Sequence, residues 1–219
     1  MPGAVIFDLD GLLVDSEPVW FSVRTEMFGR FGLQWSDSDQ KALMGRSTAA
    51  WIDYVYQKLQ GRLSRAEVKQ ETLKRMVQHY RAGEVRIMPG AREALRYSRE
   101  KGDLGLASGS PDVLIEAALE SNGWSGLFRE TLSSDDVPRG KPFPDVYLEM
   151  MKRLGVAPQE TLVVEDSGSG ILAGKAAGAK VIAVPNEHLM PAPEDLRAAD
   201  AVIKSLASIA DGFRMVGRK

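Results

Sequence analysis

Short runs of consecutive apolar residues alternate along the chain with longer segments of helical periodicity. The runs lie at 4–7, 104–107, 162–164 and 181–184, and 131–132 is a weaker fifth. Uninterrupted apolar runs are typical of parallel strands that are covered on both faces. The pattern therefore predicts strands at these positions. Their alternation with helices predicts an α/β fold built on a doubly wound parallel sheet.

The segments between the predicted strands carry helix boundaries. Ser110 followed by Pro111 fits an N-cap with a proline at the first helical position. Apolar residues recur at helical spacing in 145–154, and a further helix is predicted at 91–101. These helices would cover the faces of the sheet.

Residues 17–84 have helical periodicity and no convincing strand. Ser64 with Glu67 forms a capping-box pattern before one of the predicted helices. The stretch is too long for an ordinary crossover between two strands. We therefore expect a helical-bundle cap domain at 17–84, inserted into a core domain made of 1–16 and 85–219.

Composition and charge exclude several classes of protein. The 219 residues are 44% apolar and 26% charged, as in ordinary globular proteins. The net charge of −2 argues against binding of a nucleic-acid backbone, and the absence of cysteine excludes disulfides and thiolate metal ligands. No apolar run approaches the ~18 residues of a membrane span, and the first residues lack a signal-peptide core. We expect a cytoplasmic monomer with no nucleic-acid or membrane partner.

Acidic residues follow two of the predicted strands. Asp8 and Asp10 come after the first strand, at a spacing that lets both side chains face one site. Glu165 and Asp166 come directly after the run at 162–164. Adjacent carboxylates beside an apolar strand repel each other unless a cation lies between them, and carboxylate oxygens suit Mg²⁺. Ligands of open parallel sheets bind at the carboxyl ends of the strands, so we expect these acids to share a metal site.

Two other segments carry groups that suit an anion. Ser108 and Gly109 end the strand at 104–107 and precede a predicted helix, whose free N–H groups favour negative charge. Lys141 precedes two closely spaced prolines that restrict the backbone. Each pattern is common on its own. Combined with the acids at one sheet edge, they supply what phosphoryl transfer needs: a metal, a cation, fixed donors and a nucleophile.

In this order the motifs resemble those of the haloacid dehalogenase superfamily of phosphohydrolases. The matching residues are Asp8-Leu9-Asp10-Gly11, Ser108, Lys141 and Glu165-Asp166. The segments 11–18 and 140–142 look like those of the beta-phosphoglucomutase-like and sugar-phosphatase group of its helical-cap subfamily I. The resemblance covers nearly the whole chain. It implies a Rossmann-like core with an inserted helical cap.

The resemblance also implies a role for each acidic residue. Asp8 would be the nucleophile that forms an aspartyl-phosphate. Asp10 would be the general acid for the leaving oxygen and then the base for water. Mg²⁺ would be held by Asp8, the backbone carbonyl of Asp10 and Asp166, with Glu165 nearby. Because Asp10 is present, dehalogenation is not expected.

The remaining matched residues would contact the substrate. Ser108, with Gly109 beside it, and Lys141 would bind the phosphoryl oxygens. Arg46 lies in a turn of the predicted cap, and closure of the cap would bring it to the substrate's leaving group. The implied function is a Mg²⁺-dependent phosphatase for a small phosphorylated metabolite, a sugar phosphate or a nucleotide-like compound.

Two alternatives remain open. A beta-phosphoglucomutase-type mutase holds a second phosphate with cations, but this chain has Met44, Ala49 and Pro111-Asp112 at those positions, and Trp20 replaces a histidine. The loss of three cations favours a phosphatase over a mutase. A non-catalytic phosphate-sensing module is the alternative of another class. Receiver domains of that kind place their phosphorylated aspartate in a middle strand and lack a long helical insert, so the motif order argues against one.

Overall fold

The computed structural model describes residues 2–43, 45–186 and 190–217. The strands are β1 (Ala4–Phe7), β2 (Val14–Asp15), β3 (Arg86–Ile87), β4 (Asp103–Ser108), β5 (Glu130–Ser133), β6 (Thr161–Glu165), β7 (Lys180–Ala183) and β8 (Ala201–Val202). The helices are α1 (Glu17–Gly29), α2 (Asp37–Leu43), α3 (Thr48–Lys58), α4 (Arg65–Arg81), α5 (Ala91–Arg99), α6 (Asp112–Asn122), α7 (Asp145–Leu154), α8 (Gly168–Ala176), α9 (Pro193–Ala198) and α10 (Ile209–Val216). No helix within these ranges is long and apolar enough to cross a membrane.

The main sheet has six strands in the described ranges, in the order β5-β4-β1-β6-β7-β8. Every neighbouring pair is parallel. The chain first adds strands on one side of β1 and then on the other, so the strand order reverses beside β1. The predicted doubly wound α/β fold is confirmed, and the five predicted strands are present. The reversal point is where such sheets form ligand clefts.

The side chains of β1 alternate between two hydrophobic cores. Val5 and Phe7 point to the face covered by α5, α6 and α10. Ala4 and Ile6 point to the opposite face, where α7 and α8 pack. All four residues are fully buried. Burial on both faces explains why this strand is continuously apolar.

The stretch between β2 and β3 folds into helices α1 to α4, and 17–43 and 45–84 contain no strand. Ser64 and Glu67 form the predicted capping box at the start of α4. At the two ends of the stretch, β2 and β3 pair antiparallel. Helix α4 packs against α6, and buried apolar residues of α1, α3 and α4 belong to the same core as Phe7. The inserted helices therefore continue the core on one face of the sheet.

Candidate active site

A cleft lies at the carboxyl ends of β1, β4 and β6, between the sheet and the inserted helices. Its lining combines charged and aromatic side chains from both sides. The sheet side contributes Asp8, Asp10, Gly109, Ser110, Lys141 and Asp166, and the helical side contributes Glu17, Trp20, Arg24, Arg46 and Trp51. Two predicted site residues, Ser108 and Glu165, are fully buried and lie beneath this lining. The parallel strands thus bring the four sequence motifs to one place.

Lys141 connects two of the acidic motifs. Its Nζ donates to Asp8 Oδ1 at 2.5 Å, to Glu165 Oε1 at 2.6 Å and to the backbone oxygen of Ala107 at 3.0 Å. Burial alone would lower the pKa of Lys141, but the charges of Asp8 and Glu165 hold that pKa well above its usual range. The lysine therefore remains a cation between the two carboxylates.

Glu165 is held on both of its oxygens. Tyr147 donates its hydroxyl to Oε1 at 2.6 Å. Oε2 accepts from the backbone N–H groups of Asp166 and Ser167 and from the Ser167 hydroxyl, at 3.0 to 3.2 Å. A Cβ on Gly170 would lie 1.8 Å from Glu165 Oε1, so only glycine leaves room for this carboxylate. These contacts hold the Glu165 carboxylate in place against Lys141.

Three carboxylates are crowded at the sheet edge. Oxygens of Asp8, Glu165 and Asp166 lie within 4.8 Å of one another. Burial raises the pKa of Asp8 to about 7, with Lys141 opposing the shift and Glu165 adding to it. Burial and the charge of Asp8 raise the pKa of Asp166 well above its usual range. One ammonium does not neutralise three carboxylates, and hard oxygen donors suit a divalent cation. The donor set therefore fits a metal ion.

Asp10 accepts hydrogen bonds from three serines. The hydroxyls of Ser16, Ser110 and Ser108 donate to its carboxylate at 2.6, 2.7 and 3.1 Å. The prediction that Ser110 caps α6 is wrong, because Pro111 is the N-cap residue. Ser110 is instead held by Asp10 and by its own N–H, which donates to Ser108 Oγ at 2.9 Å. No pattern in the sequence indicated the contacts of Ser16 and Ser110 with Asp10.

A tight turn after β1 completes the sheet side of the cleft. Gly11 has a positive φ of 83°, and a Cβ there would lie 2.3 Å from Asp166 Oδ2. The side-chain amide of Asn186 donates to the Gly11 carbonyl at 2.6 Å. Asn186 follows β7 and was not predicted from the sequence. Its amide links the turn of the first motif to the far side of the sheet.

The helical side contributes two cations of different character. Arg46 is exposed in the turn after α2, where Gly45 has a positive φ of 70°. Met44 lies outside the described residues. Arg24, in contrast, is 4% exposed, and it was not predicted as a site residue. The only indication in the sequence is a basic residue one turn after Trp20, within the apolar stripe of α1.

Comparison with known proteins identifies the family. A family model described as haloacid dehalogenase-like hydrolase matches residues 5–184. The chain therefore belongs to the haloacid dehalogenase-like hydrolases.

Relatives and structures agree with this assignment. A bifunctional riboflavin kinase/FMN phosphatase of Arabidopsis thaliana is 32% identical over 212 residues, which cover 95% of this chain and 55% of that protein. This chain thus spans little more than half of that relative. Hexitol phosphatase B of Escherichia coli (strain K12) is 34% identical over 213 residues, covering 94% of this chain and 93% of that protein. The crystal structure of beta-phosphoglucomutase from Clostridium difficile has a TM-score of 0.82 at 23% identity, covering 100% and 98% of the two chains, and shares the fold.

The enzyme class follows from the family and these relatives. The predicted membership of the haloacid dehalogenase superfamily, in its beta-phosphoglucomutase-like group, is confirmed. The protein is a phosphoric monoester hydrolase of that superfamily.

Proposed function

We propose that this protein is a Mg²⁺-dependent phosphatase that hydrolyses a small phosphorylated metabolite through an aspartyl-phosphate on Asp8. The supporting observation is the meeting of Asp8 with Lys141 and Asp166 at the base of one cleft, with Asp10 beside them. The cleft has a volume of about 170 Å³, below the ~300 Å³ at which pockets for drug-sized ligands begin, and this size favours a small metabolite. Residues 17–84 would form its cap domain.

The metal would be held by the carboxylates of Asp8 and Asp166 and by the backbone carbonyl of Asp10. When bound, Mg²⁺ would supply positive charge for the phosphoryl oxygens and for the ionised nucleophile. Glu165 would act through Lys141, because its oxygens are occupied by Lys141, Tyr147 and the turn that follows β6. That arrangement favours a positioning role for Glu165 beside the metal.

In the first half-reaction, a carboxylate oxygen of Asp8 would attack phosphorus while the ester P–O bond breaks. Asp10 would give a proton to the leaving oxygen. Lys141, Ser108 and Gly109 would hold the phosphoryl oxygens. Ser108 is buried and now contacts Asp10, so it would have to exchange this hydrogen bond for one to phosphate.

In the second half-reaction, water would attack the phosphorus of the aspartyl-phosphate. Asp10 would accept a proton from that water, and the P–O bond to Asp8 would break to release inorganic phosphate. Closure of the inserted helices would exclude bulk water and bring Arg46 to the leaving group. Its exposed position in the lining of the cleft is compatible with that contact.

A mutase is the second candidate, because the fold is shared with a beta-phosphoglucomutase. A mutase must bind a second phosphate during the reaction. The residues at the corresponding positions, Ala49 and Pro111-Asp112, supply no cation. The phosphatase is therefore the better supported reaction.

A screen of phosphorylated metabolites with Mg²⁺ tests the proposal, with phosphate release as the readout. We expect multiple-turnover release from at least one sugar phosphate or nucleotide-like ester. Conversion of a sugar phosphate into its isomer without phosphate release would indicate the mutase. A long-lived phosphoprotein formed from acetyl phosphate, with no turnover of any ester, would indicate a phosphate-sensing module.

A further inference from the structure

Asn186 reaches from the segment after β7 to the tight turn that follows β1. Its side-chain amide donates to the Gly11 carbonyl at 2.6 Å, although the two residues are 175 positions apart in sequence. Asn186 is 4% exposed and lines the cleft. The chain just before it is anchored to β6, because Val184 donates its N–H to the backbone oxygen of Glu165 at 2.7 Å. The sheet therefore supports the segment that carries this amide.

The turn at Gly11 depends on this amide for one of its backbone contacts. The Gly11 N–H donates to the backbone oxygen of Val14 at 2.8 Å. The Gly11 carbonyl accepts from Asn186 instead, and no backbone N–H in the described ranges donates to it. Gly11 also has a φ of 83°, a conformation that glycine adopts at no steric cost. Without the amide, one side of this turn would lose its hydrogen bond to the rest of the protein.

Two of the groups that would hold the metal adjoin this turn. The Asp10 carbonyl and the Gly11 N–H belong to the same planar peptide unit, so the direction of one fixes the direction of the other. A Cβ on Gly11 would lie 2.3 Å from Asp166 Oδ2 and 3.0 Å from Asn186 Nδ2. The glycine therefore packs directly against both the Asp166 carboxylate and the amide. A shift of the turn would move the Asp10 carbonyl relative to Asp166.

We propose that Asn186 is a positioning residue that makes the metal site prefer Mg²⁺ to Ca²⁺. By holding Gly11, its amide fixes the Asp10 carbonyl relative to the Asp166 carboxylate. Mg²⁺ demands a nearly ideal octahedron of oxygens, whereas Ca²⁺ accepts more ligands in a flexible geometry. A turn released from Asn186 would thus weaken the binding of Mg²⁺ more than that of Ca²⁺. This role rests on the metal site of the proposed function, on which Asn186 acts through the turn.

The test measures metal binding in the absence of substrate. The Tm of each metal-stripped protein is followed as Mg²⁺ or Ca²⁺ is added, and the dependence of Tm on concentration gives an apparent Kd. Asn186→Leu replaces the amide by an apolar group of the same branching. Asn186→Ala removes the amide without adding apolar volume, and it serves as the second variant should the leucine variant not fold.

Asn122→Leu is the matched control. Asn122 is 9% exposed, and its amide also donates to a backbone oxygen, that of Ala118, at 2.8 Å. Asn122 does not line the cleft. Its replacement therefore removes a comparable buried hydrogen bond at a distance from the metal site. The control separates a loss of stability from a loss of metal affinity.

For both Asn186 variants we expect the apparent Kd for Mg²⁺ to rise at least about tenfold, as when other residues that orient metal ligands are replaced. The Kd for Ca²⁺ should rise less than about threefold. Asn122→Leu should keep the wild-type Kd for both ions, even where its Tm in EDTA is lowered. Isothermal titration calorimetry with each ion checks the same values.

Two results would overturn the proposal. A wild-type Kd for Mg²⁺ in the Asn186 variants would assign the amide to stability alone. Equal rises in Kd for the two ions would show that the amide does not act through the coordination geometry. A wild type whose Tm responds to neither ion would instead contradict the metal site of the proposed function, so the two failures are distinguishable.

Discussion

The ammonium group of Lys141 lies 2.5 Å from Oδ1 of Asp8, although 133 residues separate the two in sequence. Both side chains are less than a tenth exposed. The contact joins the loop after β5 to the turn after β1, at the point where the strand order reverses. A buried ion pair of this kind leaves an uncompensated charge when one partner is removed.

Removal of the lysine should therefore reduce stability as well as activity. We expect Lys141→Met to lower the free energy of unfolding by about 3 kcal/mol, because Asp8 and Glu165 both lose their buried cation. Urea unfolding at pH 7 measures the change. Lys152→Met is the control, since Lys152 is 79% exposed and its pair with Glu149 should contribute less than about 1 kcal/mol. Equal stabilities of the two variants would contradict this account.

Asp8→Asn should abolish turnover, because an amide is a poor nucleophile and a weaker ligand for a cation. We expect kcat to fall more than about 10³-fold on the best ester. Asp10→Asn should also slow turnover while leaving binding of metal and substrate largely intact. Phosphate release measures both variants. Activity of Asp8→Asn within tenfold of the wild type would rule out the covalent mechanism.

A divalent cation should stabilise the protein as well as activate it. Excess EDTA should silence hydrolysis, and Mg²⁺ should restore it. Because only the folded state assembles Asp8 and Asp166, Mg²⁺ should also raise Tm. The Tm shift should be lost in Asp166→Asn. Ca²⁺ should bind and raise Tm but support little turnover, because its looser coordination misplaces the nucleophile. Full activity in EDTA would contradict the metal assignment.

Gly170 packs so closely against Glu165 that one added methyl group is expected to displace the carboxylate. Gly170→Ala would place a Cβ 1.8 Å from Glu165 Oε1, so the carboxylate must move away from Lys141 and Tyr147. We expect a loss of stability of about 1–3 kcal/mol and a marked fall in kcat. Gly29→Ala, where a Cβ would meet nothing within 4 Å, should be neutral or slightly stabilising. Thermal melts of the two variants test the contrast.

Asp39 should make the stability of the inserted helices depend on pH. Burial would raise the pKa of Asp39, but hydrogen bonds from Lys58, Ser36 and Tyr54 hold it well below its usual range. Asp39 is therefore ionised in the folded state at pH values where the unfolded chain, with a pKa near ~3.9, is already protonated. Its contribution to stability is present above about pH 4 and is lost as the pH falls below that value.

Asp39→Asn should thus lower the free energy of unfolding by about 1–2 kcal/mol at pH 7. The difference from the wild type should shrink as the pH is lowered from 5 to about 2. Asp53→Asn is the control, because Asp53 and its partner Arg65 are both about half exposed. A difference for Asp39→Asn that grows toward low pH would have the wrong sign for this explanation.

The sequence predicted the elements whose burial is uniform. Strand β1 is buried on both faces, so its residues are all apolar, and the same holds for most of β4, β6 and β7. Strand β8 and the β2–β3 pair were not predicted, because two-residue strands are too short to show a period. Helix α2 was missed because its sequence, DSDQKAL, is mostly polar and lacks an apolar stripe.

The candidate site could be predicted only where each group follows its own strand. Asp8 and Asp166 fall into that class, since parallel strands end at a common edge. The contacts of Ser16 with Asp10 and of Asn186 with Gly11 depend instead on how distant segments pack. Local spacing carries no information about such contacts. Arg24 is the intermediate case, because a charge within an apolar helix stripe is visible in the sequence but its tryptophan surroundings are not.

The apolar core that runs from Phe7 into α1, α3 and α4 has a consequence for modularity. Helix α4 of the inserted helices packs against α6 of the sheet domain, and residues of both parts belong to one core. Each part therefore needs the other to bury its hydrophobic surface. Chemical denaturation is therefore expected to show one cooperative transition that includes both parts. An engineer who exchanges the inserted helices between two relatives would have to exchange the matching face of α6 with them.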